Sequence, residues 1–486
     1  MSLSLKKLAG ETVIYGASTM IGRLLNWLLM PFYIRTLSTY EYGVVVNFYG
    51  IIAVLLVVLT YGLETGFFRF SGKSYNENSV FKTLLTLLGF TSGFFVLLGF
   101  LLHGSVSDIF YQGEHDLSIL LVFVILGLDS FSALPFARLR LQNKAFWFGI
   151  VKLINIGANI FFNLLFLLIL PYLIKEGFVK GYIVDFYTRF DGIFYVFLSN
   201  AISSFITLLL LLPQILPLKS FVDFSILKPV LIYSLPLLFV GITGMITQNI
   251  DKILLPALLK EDGFSQLAIY GANFKIGVLM SLFTQSFRFA FEPFFFKNKD
   301  KGKESYAKVM DYFIFFGLVI FLGVTLFLDV VNIVLTEDYI RGNTIVPVVL
   351  LALLFYGIYF NLSLWYKLTD KTWIGAVFGS IGAVITVVLN IVLVPDIGVF
   401  GSAIALLTGY FVMMVVSGLT GRKYYPVPYK PFKYLIYFLA AGFVYFLNLK
   451  VSIESDFFSY LFKATIFVFF IGSFFVIQKY DKSKIG

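Results

Sequence analysis

Residues 247–256, TQNIDKILLP, place four polar or charged side chains inside an otherwise apolar stretch. Gln248, Asn249, Asp251 and Lys252 fall within five positions of a run long enough to cross a lipid bilayer. A charge at the bilayer centre costs at least about 2.5–3.5 kcal/mol, so it usually faces a partner or a wet cavity. Adjacent helical residues point about 100° apart, so we expect Asp251 and Lys252 to face different neighbours. Hydrogen bonding between helices and a role in a cavity remain equal alternatives for this stretch.

Arg23 is the strongest candidate for binding an anion. It lies about 12 residues, or about 18 Å of helix, into the first long apolar run, close to the bilayer midplane. Its guanidinium presents a planar fork that matches phosphate oxygens. A structural pair with a carboxylate is the alternative. Lys252, Lys275 and Arg288 complete the predicted cationic substrate site.

Other polar residues inside apolar runs are candidates for the cavity or for ion coupling. Arg288 and Glu292 are spaced as an i,i+4 ion pair, and Glu64 has Arg69 close by in sequence. If Glu64 is instead desolvated, it becomes a candidate proton carrier. Asn155, Asn159 and Asn163 recur every four residues, which favours hydrogen bonds between helices. The full set of polar candidates is Asn26, Glu64, Asp129, Gln248, Asn249, Asp251 and Glu292.

The composition argues against a soluble protein and against several kinds of chemistry. Of the 486 residues, 59% are hydrophobic and 13% are charged, whereas a soluble domain is about a quarter charged. There is no Cys, and the two His residues, His103 and His115, lie near one predicted loop. We therefore predict no metal site, no cofactor and no catalytic residue. No GxxxxGK[ST] motif is present for binding a nucleotide.

Apolar runs of about 20 residues recur along the whole chain and predict an all-α integral membrane protein with about 14 spans. The expected spans, numbered 1 to 14, are 11–34, 43–66, 81–103, 117–137, 145–171, 193–213, 230–256, 266–290, 309–329, 344–366, 372–395, 397–420, 432–449 and 457–478. With these spans, 24 Lys and Arg residues fall in loops on one side and 7 on the other. The positive-inside rule then places both termini in the cytoplasm. The basic 297–303 segment is therefore a membrane-surface loop, not a nucleic-acid site.

An internal repeat relates the two halves of the chain. NWLLMP at 26–31 matches DKILLP at 251–256, and after a longer loop Tyr42-Gly43 matches Tyr270-Gly271. The shift equals six spans, so both copies have the same orientation, as in parallel-repeat transporters. We predict a six-helix lobe at 1–216, a second six-helix lobe at 217–428, and two extra helices with a tail at 429–486.

The segments RLLNWLLMPFYIRTLSTYEYG, GLETGFFRF and NIDKILLP, followed by AIYG, resemble bacterial polysaccharide flippases of the O-antigen type. These transporters belong to the multidrug/oligosaccharidyl-lipid/polysaccharide exporter superfamily. The resemblance implies two lobes around a central cavity and alternating access. It also implies transfer of a polyprenyl-diphosphate-linked oligosaccharide from the cytoplasmic to the outer leaflet. Membrane lipid, a coupling ion (Na⁺ or H⁺), and a polysaccharide polymerase or glycosyltransferases are the implied partners.

Two other functions remain open. A multidrug exporter of the same fold would usually need an acidic cavity, whereas six Lys and Arg residues lie inside the spans of this chain. A membrane enzyme of polysaccharide assembly, a polymerase or ligase, would need a sizeable outward loop. The longest predicted outward loop, 172–192, is short and aromatic. The sequence therefore favours the flippase, which is not an enzyme.

Overall fold

The computed structural model describes most of the chain. The described residues are 20–22, 24–25, 27–72, 75–215, 222–259, 262–297, 303–369, 371 and 373–483, without the side chains of 289–290, 292–297 and 476–483. Within these residues, twelve helices are long and apolar enough to cross a membrane, or thirteen when a bent pair counts as one span. The protein is therefore an all-α, multi-pass membrane protein, as predicted.

The helices follow the predicted order, and most extend a few residues beyond the predicted ends. Spans 2 to 7 are Thr39–Phe70, Glu77–Tyr111, Asp116–Leu141, Ala145–Lys175, Gly192–Ile215 and Phe224–Leu259. Span 8 is the bent pair Gly263–Ile276 and Val278–Lys297. Spans 9 to 14 are Lys303–Leu326, Asn343–Leu368, Trp373–Ile397, Val399–Tyr424, Pro431–Lys450 and Asp456–Ser483. Of the 24 residues of predicted span 1, 11 lie outside the described residues, and the described part is helical up to residue 36.

Local sequence signals explain where the helices begin and where they break. Span 2 begins after Ser38, which forms a reciprocal capping box with Glu41. It breaks at Tyr61 and Gly62, which both adopt positive φ angles of 52° and 64°. Gly62 tolerates that conformation without strain. Span 8 bends by 41° at its break.

The helices form two compact units, Met1–Ala268 and Ile269–Gly486. In the first unit, span 7 packs against spans 2 and 3, and spans 4 and 6 pack on each other. In the second unit, spans 10 and 11 both pack on span 12. Packing thus places span 7 with the first unit, whereas the repeat assigns it to the second lobe. The lobe boundary at 216/217 stays a prediction, since it rests on the sequence repeat alone.

The residues of the repeat have clear packing roles in their own units. Tyr42 and Tyr270, which match in the repeat, are both fully buried. Gly43 allows the backbone after span 7 to approach span 2, because a Cβ on Gly43 would lie 1.9 Å from the Phe264 carbonyl oxygen. The repeated Tyr-Gly pair is therefore a structural element of the helix packing.

Spans 13 and 14 attach to span 9 within the second unit. Lys433 of span 13 forms a buried ion pair with Asp311 of span 9, with Nζ 2.7 Å from Oδ2. Phe315 of span 9 stacks on Phe474 of span 14, with ring centroids 3.8 Å apart. Charge pairing and aromatic packing therefore hold the two extra helices in place.

Candidate functional site

The polar stretch of span 7 lies on a buried face of its helix. Thr243, Thr247, Asp251 and Leu255 are buried and recur every four residues, so they line one side of the helix. Only 1% of Asp251 is exposed. Thr247 and Asp251 therefore face protein in this structure, whereas Gln248, Asn249 and Lys252 are partly buried.

A proline in the same stretch leaves one backbone carbonyl without its helical partner. Pro256 has no N–H, so it cannot donate to the carbonyl of Lys252 four residues earlier. Asn47 of span 2 supplies the missing donor, with its Nδ2 2.7 Å from the Lys252 oxygen. The Tyr111 hydroxyl of span 3 donates to the Asn47 side-chain oxygen, which fixes the amide orientation. Three spans are thus joined at one buried carbonyl.

A second proline of span 7 is compensated in the same way. Pro229 cannot donate to the carbonyl of Ser225. The hydroxyl of Tyr75, just before span 3, lies 3.3 Å from that oxygen and donates to it. Side chains from outside the helix therefore donate to the carbonyls that the prolines free near both ends of span 7.

Asp251 and Lys252 pair with each other, so our expectation that they face different neighbours is wrong. The Lys252 Nζ lies 3.1 Å from Asp251 Oδ1 and donates to the Gln248 carbonyl at 2.8 Å. The Cβ directions do diverge, but a long Lys side chain curls toward the helix N-terminus and reaches its neighbour. Asn249 donates to Met245 within the same helix. The positive charge of Lys252 is therefore partly neutralised locally.

A second polar cluster lies among spans 4, 5 and 6 of the first unit. Asp129, a predicted coupling residue, accepts a hydrogen bond from Ser204 and interacts electrostatically with Lys152. Asn155 donates to the Thr207 hydroxyl at 2.8 Å. The cluster thus combines a carboxylate, an ammonium group and neutral donors inside apolar spans.

Two of the three regularly spaced Asn residues of span 5, Asn155 and Asn163, form the predicted hydrogen bonds to other spans. Asn155 binds span 6, as above, and Asn163 accepts from the Tyr33 hydroxyl of span 1 at 3.0 Å. Asn159 instead serves its own helix, where its side-chain oxygen accepts from Asn163 at 2.7 Å. Span 5 is thereby tied to the two spans beside it.

Glu64 has a different partner from the one the sequence suggested. It forms an ion pair with Arg140 of span 4, and each side chain is nearly half exposed. Arg69 instead stacks on the Tyr233 ring at 4.3 Å. A separation of five residues places Glu64 and Arg69 off a common helix face, whereas separations of three or four would align them. Glu64 is therefore not desolvated in this structure.

The predicted cationic residues of span 8 lie in the second unit. Lys275 is half-buried in the last turn before the bend. The Arg288 guanidinium lies 4.4 Å from the centroid of the Phe360 ring, and the Lys367 ammonium lies at the same distance from that ring. Two cations therefore converge on one aromatic side chain. The side chain of Glu292, the predicted partner of Arg288, lies outside the described residues.

Two predicted site residues cannot be placed. Arg23, the main anion-binding candidate, and Asn26, the repeat partner of Asp251, both lie outside the described residues. Their roles stay predictions.

His103 lies within the helix of span 3, and His115 directly precedes the helix of span 4. His115 Nδ1 is 2.9 Å from Asp191 Oδ2, and His103 Nδ1 is 3.9 Å from Asp116 Oδ2. In the part of the chain that the structure describes, no group of three or more His, Asp or Glu residues could hold a metal ion. These pairs tie together the loops at one end of the first unit.

Asn47 is a member of the span 7 polar cluster that the sequence analysis missed. It sits in an apolar run with no charged neighbour, so no local pattern marks it. The repeat does carry a signal, because the shift that relates Tyr42 to Tyr270 also relates Asn47 to Lys275. Matching polar positions across the two copies would have identified it.

Comparison with solved structures identifies the fold. The chain is similar to the lipid II flippase MurJ in an inward closed conformation, with a TM-score of 0.74 and 14% identity over 96% of this chain and 99% of that one. It is also similar to an inward-facing multidrug resistance MATE family transporter of the MOP superfamily. That match has a TM-score of 0.64 and 14% identity, over 85% of this chain and 97% of that one.

A third match is the MATE multidrug transporter DinF-BH, with a TM-score of 0.63 and 14% identity. It covers 87% of this chain and 96% of the transporter. The sequence itself matches no family model and no curated protein. The chain therefore has the fold shared by these flippases and exporters.

Proposed function

We propose that this protein is a flippase that moves a polyprenyl-diphosphate-linked oligosaccharide from the cytoplasmic to the outer leaflet by alternating access. The observation that carries the proposal is the extent of the fold match. The flippase structure covers 96% of this chain, whereas the MATE transporters cover 85–87%. The difference, about 50 residues, is comparable with the length of spans 13 and 14. A lipid-linked cargo is the common feature of the flippase match and of the motif resemblance.

The charge distribution supports an anionic cargo. Lys275 and Arg288 lie in span 8, and the sequence places Arg23 near the middle of span 1. A diphosphate needs such cations along any route through apolar protein. Lys252 contributes less than the sequence suggested, because Asp251 offsets it. We assign the headgroup contacts to Arg23, Lys275 and Arg288.

Ion coupling is the next part of the proposal. Asp129 is the leading residue, since it lies inside the first unit beside Ser204 and Lys152. Na⁺ or H⁺ would act there by changing the charge balance between this carboxylate and ammonium. Glycosyltransferases would supply the lipid-linked saccharide, or a polysaccharide polymerase would consume it. The chain would lie in the bacterial inner membrane with both termini in the cytoplasm.

The direct test uses the purified chain in liposomes that contain a fluorescent lipid-linked oligosaccharide. A membrane-impermeant reagent added outside the liposomes should modify the sugars of the inner-leaflet pool only when the chain moves those lipids to the outer leaflet. Arg23→Ala should abolish this exchange. Lys463→Ala should retain it, because Lys463 pairs with Asp329 at 2.9 Å near the start of span 14.

The outcomes separate the two parts of the proposal. If liposomes with the wild-type chain show no exchange, with or without an ion gradient, the flippase function is wrong. If exchange occurs but Arg23→Ala leaves it unchanged, only the headgroup assignment is wrong. Transport of a cationic dye in place of the lipid would indicate a multidrug exporter.

A further inference from the structure

A groove of about 480 Å³ lies between spans 8 and 9 of the second unit. Phe287 and Phe291 of span 8 form one wall, and their rings stack with centroids 4.3 Å apart. Tyr312 and Phe316 of span 9 form the other wall together with Val309. The groove is therefore lined by apolar and aromatic side chains over most of its length.

The groove opens toward the surface of the spans. Tyr312 is 46% exposed and Phe316 is 48% exposed, whereas Phe313 and Phe315 between them are buried. Residues four apart lie on the same side of a helix, so the two exposed rings face outward together. Because span 9 crosses the membrane, the surface that these rings face is the hydrocarbon of the bilayer.

One end of the groove carries a positive charge. Lys308 and Ser305 line it near the start of span 9. Lys308 is exposed, and within the described part of the chain no carboxylate forms an ion pair with it, including Glu304 one turn earlier. A Lys near a helix end extends its ammonium group toward the headgroup region while its stem lies along apolar surface.

The length of the groove matches one leaflet. From Ser305 to Phe316 the helix rises about 16 Å, close to half of the roughly 30 Å hydrocarbon core. We propose that this groove is a binding site for an anionic glycerophospholipid of the surrounding bilayer. One acyl chain lies against the aromatic walls, and the phosphate and anionic headgroup contact Lys308 and Ser305. The site is independent of the transported substrate.

Lipid retention measured by native mass spectrometry of the full chain tests the proposal. The protein is purified in detergent with an equimolar mixture of phosphatidylglycerol and phosphatidylcholine, and the bound copies of each are counted. We expect one retained lipid with a two- to five-fold preference for phosphatidylglycerol, the range typical of one exposed ion pair. Lys308→Gln should remove the preference, and Val309→Phe should reduce retention of both lipids by filling the groove.

Lys228→Gln is the matched control. Lys228 is also an exposed Lys in the second turn of a span, but it is not among the residues that line this groove. It should leave the preference unchanged, and the elution profile of each variant verifies folding. Equal retention of both lipids by the wild-type chain, or an equal effect of Lys228→Gln and Lys308→Gln, would overturn the proposal. Displacement of phosphatidylglycerol by equimolar polyprenyl phosphate would also overturn it, because the groove would then belong to the substrate.

Discussion

Asn47→Ala should destabilise the protein through a backbone carbonyl that lies on another helix. The Asn47 amide donates to the Lys252 oxygen, which Pro256 leaves without a helical donor. Asn47 is 4% exposed, so water does not replace the lost bond. A buried polar group left without a partner costs about 1–3 kcal/mol, and the Tyr111 hydroxyl loses its acceptor as well.

A double-mutant cycle isolates the proline effect. In Pro256→Ala, the new N–H of residue 256 donates to the Lys252 carbonyl, which then has a helical donor beside Asn47. Asn47→Ala should then cost about 1 kcal/mol less in the Pro256→Ala background than in the wild type. Unfolding in mixed detergent and dodecyl sulfate micelles, followed by circular dichroism, measures both differences in the free energy of unfolding.

Asn249→Ala is the control for this cycle. The Asn249 amide donates to Met245 within its own helix, so its removal orphans no carbonyl that a proline has freed. Its cost should stay the same in both backgrounds. An equal cost of Asn47→Ala with and without Pro256, within about 0.3–0.5 kcal/mol, would show that Asn47 does not act through the carbonyl that the proline frees.

Three further predictions concern packing and charge. Gly43→Ala should lower the melting temperature in detergent, because its Cβ would lie 1.9 Å from a backbone oxygen; an unchanged melting temperature would contradict this close approach. Asp311→Ala should cost about 3–5 kcal/mol in the free energy of unfolding by leaving Lys433 buried and charged, and adding Lys433→Met should recover most of the loss. Burial raises the pKa of Asp191, but the hydrogen bond with His115 helps to lower it below the ordinary value of 3.8 overall. The Asp191 carboxylate therefore stabilises the folded state above pH 3.8, and this stabilisation is lost as the pH falls through the folded pKa. Asp191→Asn should lower the free energy of unfolding at pH 7 by under about 1 kcal/mol and have no effect near pH 2.

The apolar runs predicted the spans well because the bilayer imposes a minimum length on each helix. Span 8 is the exception: it appears in the sequence as one run, yet it bends by 41°. The bend falls at Gly277, where a Cβ would lie 2.8 Å from Leu353 of span 10. Packing between distant segments thus determines the bend, and a single run of sequence does not record it.

The candidate site was predicted less completely than the fold. Residue type and depth predicted that Asp251 faces a partner or a wet cavity, but could not identify Lys252 as that partner. The partner of Glu64 is 76 positions away, on another span, which no local spacing encodes. Asn47 escaped notice because its importance comes from Pro256, more than 200 positions away in sequence. Polar partners in a helical membrane protein depend on which helices pack together, and that information lies in the tertiary structure.

The proposed movement of a lipid-linked saccharide between leaflets can be measured in living cells. The most direct measurement is the leaflet location of that saccharide in cells that lack the gene. We predict accumulation on the cytoplasmic face, reversed by the wild-type chain. Normal appearance of the saccharide in the outer leaflet, with no second flippase present, would contradict the account, and unpolymerised saccharide accumulating outside would point to an enzyme of polysaccharide assembly.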